Sequence, residues 1–250
     1  MTRVKNYLLG YDNMYIVQDS KMFNFSLDSV LLANFVKIDK KTKKIIDIGC
    51  GNAPIPLILS TLTDAKITGV EIQKEVFELA IESVKINNLE DRINLINDDI
   101  CEMYKNITTG TYDIVTCNPP FFKFDETKKI NISEYKTIAR HEIKLDLDKL
   151  FKVAKKILKN DGVIAIVHRP ERLVDILEKM RSNNLEPKRI QFVHPKKGKE
   201  ANIVLVEGVK NGKHGVKIIE SLISHNEDGS YSNKMKKYFE KGDNNVSEKL

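Results

Sequence analysis

No stretch of this chain approaches the ~18 consecutive apolar residues of a membrane span. The opening residues, MTRVKNYLLG, lack the apolar core of ~7–15 residues that marks a secretory signal. A cytoplasmic protein is therefore expected. Cysteine is scarce: Cys50, Cys101 and Cys117, an odd count with no C-x-x-C pair. That argues against a disulfide framework and against a zinc site, so no metal is expected. Cys50 and Cys117 fall at predicted strand ends and read as small buried hydrophobes. Internal repeats and low-complexity linkers are absent, and nothing resembles a disordered composition. Apolar residues make up 41% and charged residues 30% of the 250, which suits a soluble globular protein. That length holds one large α/β domain or two small ones, with a sizeable core. The formal net charge is +6, carried almost entirely by lysine. A basic balance favours a polyanionic partner such as nucleic acid, although AT-rich coding yields the same abundance of Lys, Asn and Ile.

Hydrophobic patterning predicts alternating strands and helices. Residues 1–24 show no clear period and read as an N-terminal extension. Ser26–Val36 reads as a helix capped by Ser26. A β-branched strand at Ile45–Ile48 then ends in G49-C50-G51-N52-A53, and a helix follows from Pro54, where a missing N–H costs nothing. A second strand, Lys66–Val70, is followed by Glu71 and a helix over Gln73–Asn87. Arg92–Ile96 is a third strand leading to Asp98 and Asp99. Tyr112–Cys117 is a fourth strand. Residues 123–140 have no apolar period and read as a mobile loop over a pocket. Asp146–Leu158 reads as a helix, Val163–His168 as a strand and Pro170–Arg181 as a helix. Lys188–His194 and Asn202–Val206 read as an antiparallel pair joined by the basic loop PKKGKE. Residues 210–250 read as a polar tail with apolar islands. The expected fold is α/β and doubly wound, a single Rossmann-like domain with a mostly parallel, seven-stranded sheet and an antiparallel terminal strand.

Two stretches carry the chemistry. In Y112-D-I-V-T-C-N-P-P-F-F the strand stops at Asn118, and Pro119 and Pro120 hold the chain rigid past its carboxyl end. Ligands bind at that end of open α/β sheets. Asn118 Oδ1 and the Pro119 carbonyl are two acceptors suited to a planar amino group, and Phe121 could stack on the ring that bears it. A tight turn with an incidental Asn is the plainer reading of the same residues. In D47-I-G-C-G-N-A the glycines let the backbone approach a ligand closely. Glu71, 20 residues after Gly51, stands where an acidic residue reaches ribose hydroxyls. The dinucleotide fingerprint fails at Pro54, which occupies its third glycine position.

The Asn-Pro-Pro-aromatic run resembles the catalytic motif of amino-methyltransferases, and D-I-G-C-G resembles the cofactor turn of S-adenosylmethionine-dependent methyltransferases. More narrowly, the chain resembles the bacterial tRNA1(Val) adenine-N6 methyltransferases. The residues that carry this are F23-N-F-S-L-D-S-V-L-L-A, N118-P-P-F-F, A139-R-H-E and H194-P-K-K-G-K-E-A-N. Ala53, where the family often has Gly, and Pro54 after it depart from the pattern.

The resemblance implies a monomeric tRNA (adenine-N6) methyltransferase using S-adenosyl-L-methionine, acting beside the anticodon. Asn118, Pro119 and Phe121 become catalytic. Asp47, Gly49, Gly51, Glu71, Asp98, Asp99 and Asn118 become cofactor residues, with Asp99 preferred to Asp98 at the adenine. The family's upstream stretch borders the cofactor, which adds Phe25, Ser26 and Asp28; a helix-turn carboxylate is the other reading of Asp28. Pro120, Phe122, Lys123, Arg140 and Lys197 fall on the substrate side, with Lys196 and Lys199 placed similarly. His141 and Glu142 match a family run, with hydrogen bonding in the scaffold as the other reading. His168 and His194 read as strand-end residues. The rival readings are another amino-methyltransferase, acting on rRNA guanine or protein glutamine, a nicotinamide-dependent oxidoreductase, and a non-catalytic RNA-binding module.

Overall fold

The structure is a computed structural model that describes residues 3–9, 11–19, 27–119 and 145–240. An eight-stranded sheet has the order β10-β8-β9-β7-β6-β3-β4-β5. Its strands are β3 (Lys44–Ile48), β4 (Lys66–Glu71), β5 (Ile93–Asn97), β6 (Tyr112–Cys117), β7 (Leu158–His168), β8 (Leu185–His194), β9 (Ile203–Lys210) and β10 (Lys217–Ile223). All neighbours pair in parallel except at β9, which runs antiparallel to both β7 and β8. The chain winds from β3 outward to β5, then returns to lay β6 on the other side of β3. The β3/β6 boundary is thus a topological switch point, with a crevice outside the two carboxyl ends.

Strand pleating divides the core. In β3, Ile45 packs with α1 (Leu27–Phe35) and α2 (Pro54–Leu62) on one face, while Ile46 and Ile48 pack with α5 (Leu147–Ile157) and α6 (Leu173–Ser182) on the other. Side chains alternate along a strand, so Asp47 shares the α1 face with Ile45. In β6 the same period puts Ile114 and Thr116 on that face. α5 follows the amphipathic rule closely: Asp146 caps it by accepting from Lys149 N at 2.9 Å, and Leu147, Leu150, Val153, Ala154 and Ile157 are buried.

Several elements differ from the sequence reading. Residues expected to be an extension form a hairpin of β1 (Arg3–Leu8) and β2 (Tyr11–Asp19). β2 lies along α3 (Lys74–Ile86): Val17 N donates to Ser83 Oγ, and Tyr15 exchanges two backbone bonds with the Asn87 carboxamide. No alternation marks this strand because Ile16 and Val17, neighbours on opposite faces, are both buried. β7 begins at Leu158 and absorbs the predicted turn as a bulge. Asp161 is left-handed there, and a Cβ on Gly162 would lie 2.9 Å from the Lys159 carbonyl. β8 starts before Pro187, because β10 pairs only from Arg189 onward and Pro187 falls at a bulge against β9. Pro170–Arg172 is a 3₁₀ turn ahead of α6. The stretch read as a polar tail supplies an eighth strand, β10, and α7 (Asn233–Glu240), which bury Leu222 and Met235. The predicted loop over 123–140 lies outside the described residues.

Candidate active site

The turn after β3 is pinned from beneath. Gly49 N and Cys50 N both donate to the Val70 carbonyl, at 2.9 and 3.0 Å. Gly51 N donates to Glu71 Oε2 at 3.0 Å, and Gln73 N to Glu71 Oε1 at 2.8 Å. Glu71 therefore ties the turn to the end of β4, a structural role the spacing argument missed. Each of its oxygens keeps one lone pair for a further donor. Gly49 and Gly51 have φ of 69° and 57°, and a Cβ on either would meet nothing within 4 Å among the described residues. The turn thus faces open space and also needs the left-handed backbone. Ala53 is left-handed too, with φ 71°. A non-glycine residue in that region costs strain, but the turn is kept. Asn52 Nδ2 donates to the Val17 carbonyl at 2.8 Å and fastens the turn to the hairpin.

Asp47 is buried beside this turn. Its Oδ1 accepts from Thr116 Oγ1 at 2.6 Å, and its Oδ2 has no hydrogen-bond partner among the described residues. Burial, and then the nearby Glu71, push the Asp47 carboxyl up to about 7 from its ordinary 3.8, against the pull of the Thr116 bond. Such a group accepts a cation readily.

Across the switch point, Asn118 continues the Ile114, Thr116 line toward α1. Its Nδ2 donates to Ser29 Oγ at 3.3 Å, while Oδ1 is buried without a partner among the described residues. A buried acceptor left unpaired costs ~1–3 kcal/mol, so one at the switch point is suited to a donor that arrives with a ligand. Pro119 is buried next to it. Asp28, in the first turn of α1, is buried as well. The structure thus gathers Asp47, Gly49, Gly51, Glu71, Asn118, Pro119 and Asp28 at one end of the sheet.

Asp98 and Asp99 follow β5 at that end. Asp99 is half-buried and caps α4 (Ile100–Met103) through Cys101 N, and the exposed Asp98 accepts from Asp99 N. Lys197 is exposed in the β8–β9 loop, which leaves the same end of the sheet because β8 runs parallel to β6. The His194 ring closes that loop, its Nδ1–H donating to the Lys199 carbonyl at 2.7 Å. His168 is buried at the end of β7, and burial with Arg172 lowers it to about 4. It is therefore neutral near pH 7 and accepts from Arg169 N. Phe25, Ser26, Pro120, Phe121, Phe122, Lys123, Arg140, His141 and Glu142 lie outside the described residues.

Sequence reasoning missed Ser29 and Thr116. Ser29 is 89 residues from its partner, and Thr116 reads as one more β-branched strand residue. Only the period-two line running through Asn118 could have suggested that Thr116 faces Asp47. Among the described residues no group of three or more His, Cys, Asp or Glu is placed to hold a metal ion, and no helix is long and apolar enough to cross a membrane.

The methyltransferase small domain model matches residues 26–183, more than half of the chain. The tRNA1(Val) (adenine(37)-N6)-methyltransferase of Phocaeicola vulgatus is 28% identical over 202 residues, covering 80% of this chain and 83% of that protein. The protein of the same name from Trichodesmium erythraeum is 31% identical over 167 residues, covering 66% and 68%. Among solved structures, a predicted O-methyltransferase from Agrobacterium tumefaciens superposes with a TM-score of 0.70 at 19% identity, over 86% of this chain and 97% of that one. Geranyl diphosphate C-methyltransferase from Streptomyces coelicolor gives 0.55 at 12%, over 73% and 76%. These two show the shared fold. By the family model and by the Trichodesmium erythraeum relative at 31% identity, the chain belongs to the methyltransferase small domain family, and within it to the tRNA1(Val) adenine-N6 methyltransferases.

Proposed function

We propose that the protein methylates the N6 amine of an adenosine in tRNA, the one beside the anticodon of tRNA1(Val), with S-adenosyl-L-methionine as donor. It acts as a cytoplasmic monomer. The observation that carries this is Asn118 Oδ1, a buried acceptor without a partner among the described residues, one strand away from the open glycine turn.

The residues present fit the donor. Asp47 Oδ2, buried and unpartnered among the described residues, suits the ammonium of its amino-acid end. The spare lone pairs of Glu71 suit ribose hydroxyls, and the space before Gly49 and Gly51 admits the ligand close to the backbone. Asp99, less exposed than Asp98, is assigned to the adenine amine, and Asp28 with Phe25 to the pocket wall. When bound, S-adenosylmethionine supplies a methyl group on a sulfonium, ready for direct displacement.

The chain's own task is to present the nucleophile. The exocyclic nitrogen of adenine is weak because its lone pair is delocalised into the ring. Asn118 Oδ1 and the Pro119 carbonyl accept its two N–H bonds and draw the nitrogen toward a tetrahedral shape. Its lone pair then points out of the ring plane. Phe121 stacks on the base once it is flipped from the stack of its loop, a contact worth roughly 1–3 kcal/mol. The amine proton becomes acidic only as the N–C bond forms at the expense of the donor's S–C bond, and it passes to water, so no strong base is needed. His168, held neutral, is not required as one. Orientation supplies most of the acceleration, up to ~7–11 kcal/mol in well-aligned reactions. Pro120, Phe122, Lys123, Arg140 and Lys197 are assigned to the RNA.

The test is incubation with methyl-labelled cofactor and, in parallel, total tRNA, ribosomal RNA and total protein, followed by mapping of the labelled nucleoside or residue. Label in N6-methyladenosine at the position beside the anticodon is expected. Label confined to guanine in rRNA or to a protein glutamine would support the nearest rivals instead.

A further inference from the structure

We propose that Ser29 is a positioning residue for Asn118, setting which end of its carboxamide faces the substrate amine. This rests on the reading of Asn118 as the amine acceptor. The χ2 torsion of Asn is broad and roughly two-fold, so the backbone alone does not choose between Oδ1 and Nδ2. Pro119 restricts the main chain at Asn118 but leaves the amide plane free. Ser29 supplies the missing restraint. It is buried on α1, and its Oγ stands 3.3 Å from Asn118 Nδ2. Of the two Asn118 polar atoms, the nitrogen is thus engaged and the oxygen is the one left buried and unpartnered among the described residues.

A hydroxyl both donates and accepts, so Ser29 could bond either end of the amide. The incoming amine breaks that symmetry. It brings hydrogens, and only Oδ1 can accept them; a reversed amide would set donor against donor. With Oδ1 on the amine, Nδ2 still needs an acceptor, and Ser29 Oγ is placed to be that acceptor. Without it the reactive orientation leaves a buried donor unpaired and becomes a minor state. The substrate would still dock, but most encounters would meet the wrong end.

Ser29→Ala keeps a helix-favouring residue and removes only the hydroxyl. At saturating cofactor and tRNA, kcat is expected to fall tenfold to a hundredfold, with KM for either substrate within threefold of wild type. The second readout is the side-chain amide pair of Asn118 in protein labelled with ¹⁵N-asparagine, recorded without substrate well below the melting transition. Wild type should give a sharp, dispersed pair, and Ser29→Ala a pair broadened or moved toward free carboxamide shifts. A kcat within twofold of wild type would overturn the proposal. So would a fallen kcat with an unchanged Asn118 pair, since the loss would then come from elsewhere. Should wild type transfer no methyl group to adenine, the parent reading fails, while the resonances still report whether Ser29 orients the amide.

Discussion

Asp47 is held in two demands at once. Folding removes its carboxyl from water, and among the described residues only one of its oxygens is bonded. Its folded value, about 7, lies above the unfolded one, so the folded state binds a proton where the unfolded state has lost it. The sign follows: no penalty below about pH 4, and stability lost as pH rises through about 7. Asp47→Asn can still accept the Thr116 hydroxyl. We expect it to stabilise the ligand-free protein by roughly 3–4 kcal/mol at about pH 8, and by about 1–2 kcal/mol at about pH 5. The same change should weaken S-adenosylmethionine binding tenfold or more. Thermal melts at the two pH values and calorimetric titration check both halves. Equal gains at the two pH values would remove the charge argument. Asp47 and Asn118 were legible because each stands at a strand end in a recognisable run. Their partners were not, since a hydrogen bond across sheet and helix leaves no mark in local sequence.

At the scale of elements, the parallel half of the sheet was legible through its β-branched runs and glycine turns. The additions at either end of the chain were not. β10 has one fully buried apolar position, Leu222, among exposed neighbours, and an edge strand of that kind shows little alternation. α7 likewise inserts Met235 into the cluster that holds α1 and α2. Leu222→Ala should therefore cost about 2–4 kcal/mol in denaturant unfolding, as for other buried leucines. A loss under about 0.5 kcal/mol would mean that β10 is not docked in solution. Pro187 hid the start of β8 for a related reason. A proline argues against a strand unless a neighbour is missing, and which neighbours are present is a property of the assembled sheet.

The whole molecule carries a formal charge of +6, and the β8–β9 loop puts exposed Lys197 at the end of the sheet that bears the crevice. Lys197→Ala should weaken tRNA binding severalfold across tRNA species and lower the slope of log K against log salt by about 0.7–0.9, leaving cofactor affinity unchanged. An unaltered slope would place Lys197 away from the phosphates. Composition hinted at such a surface but could not locate it, because lysine is abundant along the whole chain. The proposed function makes Asn118 the point where cofactor and base meet. Asn118→Ala, assayed in parallel for single-turnover methyl transfer and for S-adenosylmethionine affinity, tests this most directly. Turnover should fall at least a thousandfold, with affinity within about threefold of wild type. Transfer at near wild-type rate, with cofactor still bound, would contradict it.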